Sequence, residues 1–361
     1  MIIKSLKLKN YRNYELLNLK FDAKTNILYG DNAQGKTNIL EALYLSGTTK
    51  SHRSTKDRDL IRFGCDESHL ETIVEKHGME FKIDMHLKKN SPKGIAINKI
   101  PIRRASELFG IVHFVFFSPE DLNIIKEGPA GRRRFIDLEL SQLDKVYLSN
   151  LSNYNRIINQ RNSLLKELYY REDLIDTLDI WDMQLASYGE KVIEARKRFI
   201  EQVNDIISEI HYKLTGGRER IHLSYESSVG DESLEAVLKR NRERDIRLKS
   251  TSAGPHRDDL CFYVGEIDIR KFGSQGQQRT AALSLKLSEI ELVKQIIRDT
   301  PILLLDDVLS ELDKNRQNYL LDSIHDIQTV ITCTGLDEFV NHRFSINKIF
   351  HVKNGTVAGE N

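Results

Sequence analysis

The residues best suited to chemistry stand near the amino terminus: Gly30-Asp31-Asn32-Ala33-Gln34-Gly35-Lys36-Thr37, which fits Gly-x-x-x-x-Gly-Lys-Ser/Thr at every fixed position. Glycines let backbone amides wrap phosphate oxygens, and a helix opening behind the loop adds the positive end of its dipole. In this pattern Lys36 reaches the β- and γ-phosphates and the Thr37 hydroxyl ligates Mg²⁺. The surroundings suit that mechanism. An apolar run, Asn26-Ile27-Leu28-Tyr29, precedes the loop, and Ile39, Leu40, Leu43 and Tyr44 follow at helical spacing. Residues 30–37 are expected to bind ATP with Mg²⁺.

A second reactive feature lies some 270 residues on, where Leu303-Leu304-Leu305 runs into Asp306-Asp307. A buried strand of this type presents Asp306 at its carboxyl end, where it can hold the Mg²⁺ shell. Asp307 is placed to orient or deprotonate an attacking water. Alone, such a strand end could equally carry two solvated acids. Paired with the phosphate loop, it predicts a catalytic set of Lys36, Asp306 and Asp307, with Thr37 and Asp306 on the metal.

The gap between Lys36 and Asp306 is too long for a compact phosphate-loop domain, so something is inserted. Residues 1–130 read as strands around the loop and its helix, with short alternating runs between Ile61 and Pro101 and a hairpin turn at Asn90-Ser91-Pro92-Lys93-Gly94. Residues 131–220 change character. Leu140, Leu143, Tyr147, Leu151, Tyr154, Ile158, Leu165 and Leu168 form a helical stripe interrupted by Arg161. A second stripe runs from Leu185 through Val192, Phe199 and Val203 to Ile210. Two helices of about 30 residues, each roughly 45 Å long, would lie antiparallel across a short connector. An ordinary core hairpin is the plain alternative to a projecting arm; polar residues on the remaining positions favour the arm. Residues 221–361 return to strands, with a helix from about Gly276 to Ile297.

Composition sets outer limits. The chain has 361 residues, 30% charged and 40% hydrophobic, which suits a globular protein of two domains. No run approaches the roughly 18 apolar residues of a membrane span. Met1–Lys7 alternates apolar residues with charge and lacks a signal-peptide core. Cys65, Cys261 and Cys333 form no CxxC pair, so no zinc site or disulfide framework is suggested and a cytoplasmic setting is expected. The net charge of +1 neither demands nor excludes nucleic acid; local basic clusters matter instead. Lys50, Arg53 and Lys56 form one cluster, Arg132, Arg133 and Arg134 a second, and Arg196-Lys197-Arg198 a third. Each is a candidate DNA contact or a solvated face, and Gly131–Arg134, which opens the arm, is equally suited to a hinge or head contact. His256, Arg257 and Asp258 are expected to pack rather than to catalyse.

Several further motifs resemble one family. Phe272-Gly273-Ser274-Gln275-Gly276-Gln277 resembles the signature loop of ABC/SMC ATPases, and Leu309-Ser310-Glu311-Leu312-Asp313 is similar to their D-loop. With Leu8-Lys9-Asn10-Tyr11-Arg12-Asn13-Tyr14, Ser118-Pro119-Glu120-Asp121-Leu122 and Gly254-Pro255-His256-Arg257-Asp258-Asp259-Leu260, they resemble the RecF family in its usual order, from residue 2 to about 335. The resemblance implies an α/β ABC/SMC-type P-loop ATPase head, a mixed sheet with helices, carrying an inserted antiparallel helical arm. It implies ATP held between two heads, with Ser274 and Gly276 facing the partner's γ-phosphate, Arg12 and Tyr14 near the nucleotide and Asp313 near the seam. It implies slow, DNA-stimulated, Mg²⁺-dependent ATP hydrolysis and action in recombinational repair on duplex DNA at gaps or junctions. RecR and RecO are the implied partners in helping to load RecA. Two other classes are the alternatives. A transporter ATPase subunit would lack long helical arms and usually carries Ser-Gly-Gly-Gln; a structural tether would have far longer arms. Asp307 stands where most such heads carry Glu, Thr332-Cys333-Thr334 stands where a switch histidine usually follows, and no Q-loop glutamine is identifiable.

Overall fold

The structure, a computed structural model, describes residues 1–54, 56–168, 170–335 and 346–360. The chain opens with β1 (Ile2–Tyr11), β2 (Tyr14–Lys20) and β3 (Thr25–Tyr29), then α1 (Lys36–Thr48). A meander of β4 (Glu67–Lys76), β5 (Met79–Lys88), β6 (Ser91–Ile97) and β7 (Ile100–Pro101) leads to β8 (Phe114–Phe117). Three helices follow: α2 (Pro129–Leu143), α3 (Lys145–Glu167) and α4 (Leu178–Leu214). Next come β9 (Ile221–Glu226), α5 (Leu234–Arg240), α6 (Arg242–Leu248), β10 (Asp259–Val264), β11 (Ile267–Asp268) and α7 (Ile269–Phe272). The chain closes with α8 (Gln275–Ile297), β12 (Ile302–Asp306), α9 (Lys314–Ser323), β13 (Thr329–Cys333), β14 (Lys348–Lys353) and β15 (Thr356–Glu360).

These elements form two compact units, residues 1–122 with 286–361, and residues 123–285. The first holds two sheets. One is antiparallel, in the order β2-β1-β4-β5-β6-β7. The other runs β15-β14-β3-β13-β12-β8, parallel except for the edge strand β15. Strands β12 and β13 and the edge strand β8 are buried at every residue, as a sheet covered on both faces requires. Helix α1 is buried on nearly all sides, so it is a core helix rather than an amphipathic surface one.

The expected turn at residues 90–94 is misplaced. Strand β6 already begins at Ser91, and the turn is Lys89-Asn90. Ser91 pairs with Lys88 and Gly94 with His86, so Pro92 and Lys93 together oppose Leu87. That is a β-bulge, one of the few places inside a sheet where proline's missing N–H is tolerated.

The second unit is more than a helical hairpin. The first stripe is two helices, α2 and α3, broken at Asp144, whose side chain caps α3 by accepting from Val146 N. Helices α3 and α4 are antiparallel, since successive partners run in opposite directions: Tyr147 meets Arg196, Tyr154 meets Gly189, and Arg161 meets Asp182. At Gly189 an added Cβ would lie 2.4 Å from Leu234 and 3.1 Å from Tyr154, so the residue is small because the helices cross there. Helix α5 and the β9–β10 pair cover α4, and Tyr154, Ile157, Leu185, Ile193, Leu234 and Leu238 share one core. The unit therefore extends to Leu285, well past the boundary expected at residue 220.

Arg161, which interrupts the hydrophobic stripe in sequence, is fully buried. Its Nε donates to Asp182 at 2.6 Å, and its Nη1 donates to Asp245 at 2.8 Å and to Thr251 Oγ1 at 2.9 Å. The position stays on the buried face because two carboxylates meet it there.

Candidate functional site

Strand β3 ends at Tyr29 and the loop closes into α1 with Gly35 as its N-cap, so the phosphate loop lies between strand and helix as its pattern requires. Gly30 has φ 148° and Gly35 φ 115°. A Cβ on Gly30 would stand 2.3 Å from the Val352 carbonyl oxygen, and on Gly35 2.5 Å from the Asn13 side chain, so neither position admits another residue without a shift. Asp31, Asn32 and Ala33 are exposed, with Ala33 at φ 63°. Lys36 is 4% exposed, and its Nζ donates to the carbonyls of Gly30 at 2.6 Å and Asp31 at 3.0 Å. Those carbonyls occupy the ammonium's donors where phosphate oxygens would otherwise compete.

Residues distant in sequence hold this loop. Asn13, at the β1–β2 turn, donates to the Gln34 carbonyl at 2.9 Å, and the Tyr14 hydroxyl donates to the Gly35 carbonyl at 3.1 Å. The β14–β15 turn supplies Asn354 N to Gln34 Oε1 and Gly355 N to Gln34 O. Arg12 takes another path: it forks onto the buried Glu41 of α1 at 2.7 and 2.8 Å and donates to the Asp59 carbonyl. That pair holds the Glu41 carboxyl below its usual range despite the opposing effect of burial. Sequence reasoning places Arg12 and Tyr14 near the nucleotide; here Tyr14 holds the loop, whereas Arg12 holds Glu41 of α1, and Asn13, Asn354, Gly355 and Glu41 were missed. Asn13 stood inside a quoted motif, whereas the others carried no local signal.

The two halves of the predicted set meet. Thr37 Oγ1 donates to Asp306 Oδ1 at 2.9 Å, across 269 positions of sequence. Asp306 also accepts from the Thr332 hydroxyl at 2.8 Å, and the Asp307 amide donates to that hydroxyl at 2.9 Å. Burial pushes the Asp306 carboxyl above the usual carboxylate range, with the Thr332 and Thr37 hydroxyls acting against that rise. Asp307 is half-buried at φ 51°. It lines a cavity of about 210 Å³ together with Asn32, Pro119, Ser310, Glu311 and the Thr332–Thr334 strand end. An oxygen-rich pair, Thr37 and Asp306, stands beside a lysine in a glycine cradle: the donor set of a triphosphate with a hard divalent cation.

Ser274 and Gly276 belong to the second unit. Ser274 N donates to Gln277 Oε1 at 2.9 Å and Gln277 N donates to Ser274 Oγ at 3.2 Å, a reciprocal cap that opens α8. Gln277 is anchored in turn by its Nε2, which donates to Glu219 at 3.0 Å. Both Ser274 and Gly276 are exposed. Asp313 caps α9, accepting from the Asn315 and Arg316 amides.

The basic candidates separate by burial. Lys50, Arg53 and Lys56 are exposed; Thr55, in the same cluster, lies outside the described residues. Arg132 is a correction. It is 4% exposed, forks onto Asp259 at 2.7 and 3.0 Å, and donates to the carbonyls of Ile124, Ile125 and Glu127, so it is structural rather than a DNA contact. Arg133 is half-buried and donates from Nη1 to the Asp258 carbonyl at 2.7 Å. Arg196, from the third cluster, is buried against Asp137 and the Pro255 carbonyl. His256 Nε2 donates to the Thr251 carbonyl at 3.1 Å, which leaves Nδ1 of the neutral ring to accept from Tyr154 Oη at 2.7 Å; burial lowers its pKa to about 4. It packs, as expected. Among the described residues no helix is long and apolar enough to cross a membrane.

The chain resembles known proteins along its whole length. The family described as RecF/RecN/SMC N terminal domain matches residues 2–358. The DNA replication and repair protein RecF of Agathobacter rectalis is 66% identical over 357 residues, 99% of each chain. The protein of that name from Clostridium perfringens strain 13 is 47% identical over 362 residues, again 99% of each. A solved structure of the recombination mediator protein RecF with ATP, in the RecFOR pathway, is 35% identical, with a TM-score of 0.93 over 100% of this chain and 98% of that one. An SMC head bound to the C-winged helix domain of ScpA is similar in fold alone, at 16% identity and a TM-score of 0.58 over 100% of this chain and 97% of that one. With its ABC/SMC-type head, its inserted helices and full-length likeness to these relatives, the chain belongs to the RecF family of DNA replication and repair proteins.

Proposed function

We propose that this chain is an ATP-dependent DNA-binding protein of recombinational repair and gap processing, working as two copies bridged by ATP on duplex DNA. The observation that carries the reading is the 2.9 Å bond from Thr37 to Asp306, which brings the phosphate loop and the acidic strand end into one site. A relative at 35% identity is a recombination mediator solved with ATP, which supports the same ligand here. Lys36 would pair with the β- and γ-phosphates. Thr37 and Asp306 would hold Mg²⁺, which neutralises charge on the phosphates. Asp307, facing the cavity, would orient the attacking water. Its carboxylate is one carbon shorter than the glutamate of most such heads, which favours slow hydrolysis.

Ser274 and Gly276 are exposed at the start of α8, so in this reading they meet the γ-phosphate of a second copy. Two heads that share two nucleotides associate when ATP is present and separate when hydrolysis removes the bridge. The exposed Lys50, Arg53 and Lys56 would contact DNA phosphates, and such binding weakens steeply with salt. The RecFOR naming of the solved relative supports RecR and RecO as partners in RecA loading.

The test is Ser274→Arg. Losing the cap costs about 1 kcal/mol, too little to unfold the chain. ATP-induced dimerisation, followed by light scattering, should disappear while ATP still binds the single chain with unchanged affinity. If the variant loses ATP binding as a monomer, Ser274 acts on its own chain's nucleotide and the bridged-dimer reading fails.

A further inference from the structure

Strands β12 and β13 pair in parallel so that Asp306 lies directly beside Thr332. The Thr332 side chain is 1% exposed and has a single hydroxyl proton. Its surroundings fix where that proton goes. The Asp307 amide can only donate, so the hydroxyl accepts from it at 2.9 Å and must give its own proton to Asp306 Oδ1 at 2.8 Å. Thr37 Oγ1 reaches the same carboxylate oxygen from the other side at 2.9 Å. One hydroxyl therefore orients one acid through its carboxylate and the next through its backbone.

The backbone bond matters because Asp307 is a non-glycine residue at φ 51°. The left-handed region costs such a residue on the order of 1 kcal/mol, and it persists only where neighbours hold it. The bond from its amide to Thr332 is one such restraint, and this conformation lets the chain turn sharply while the Asp307 side chain lines the 210 Å³ cavity. Thr332 lines that cavity as well, as do Cys333 and Thr334.

We infer that Thr332 is a positioning residue for ATP hydrolysis: its hydroxyl locks Asp306 and Asp307 into the geometry in which the first holds and the second orients. The inference rests on the hydrolysis reading above, and neither the phosphate loop nor the acidic pair reveals it in sequence.

Thr332→Val tests it, because valine keeps the shape and removes both bonds, while Thr332→Ser keeps the hydroxyl. In Thr332→Val, single-turnover hydrolysis should fall on the order of 100-fold, the size expected when a reacting group is misplaced by about 1 Å. ATP affinity, set by Lys36 and the loop amides, should stay within threefold. Without nucleotide, hydrogen exchange at the Asp307 amide should quicken, since its acceptor is gone. Thr332→Ser should recover turnover to within about fivefold and restore slow exchange. Should the valine variant not fold, Thr332→Ala carries the same comparison without the added methyl. The inference is overturned if a folded valine or alanine variant turns over ATP within threefold of the wild type, or if its ATP affinity falls as far as its turnover. A wild-type chain with no ATP turnover at all would instead sink the hydrolysis reading on which the inference stands.

Discussion

Lys36→Ala should weaken ATP binding on the order of 100-fold and abolish ATP-induced dimerisation, with the fold retained. The ammonium is buried within a loop of carbonyls and amides and now bonds Gly30 and Asp31. A triphosphate must compete with those two bonds, so what counts is the excess strength of charge-assisted contacts to phosphate. That excess is about 3 kcal/mol, close to two decades in affinity. The cost to folding is about 1–3 kcal/mol, from the buried Gly30 carbonyl that loses this donor, whereas Asp31 is exposed. Calorimetric titration with ATP and a thermal melt separate the two effects. A variant that binds ATP within threefold of wild type, or still dimerises with it, removes the phosphate loop from the account.

The second large effect is on stability. Arg161→Ala should destabilise the second unit by about 3–5 kcal/mol, because Asp182 and Asp245 would remain buried without the cation between them. For a unit of this size that lowers the melting temperature by on the order of 10 °C. Arg242 still bonds Asp182 at 2.9 Å, and Ser252 N still bonds Asp245, so the loss falls short of a wholly unpaired charge. Arg161→Lys should recover only part of it, since a lysine cannot present two N–H groups in one plane to two carboxylates. A melt within 2 °C of wild type would mean that Arg161 is dispensable to the pairing of α3 with α4.

The sequence made contiguous chemistry legible. The phosphate loop, the acidic strand end and the signature turn each declare themselves within about eight residues, and the strand and helix periods around them suffice to order the elements. What stayed hidden is what the sheet assembles. Thr332 acts because β13 lies beside β12, and Asn13, Asn354 and Gly355 act because two turns close on Gln34. No local pattern marks those meetings. Buried charge was the other blind spot. Arg161 looked like a break in a hydrophobic stripe and Arg132 like a surface cation, since a sequence shows a charge and not its partner. The second unit was underestimated for a related reason: α5, α6 and the β9–β10 pair are short, and each acquires its meaning only by covering α4.

Whether ATP joins two heads that then work on DNA is tested most directly by the rate of ATP hydrolysis against protein concentration, with and without gapped duplex DNA. Bridged heads predict a rate that rises faster than linearly with concentration and increases when DNA is added. A rate that is strictly linear and indifferent to DNA would contradict the bridged dimer, leaving a nucleotide site that works one chain at a time.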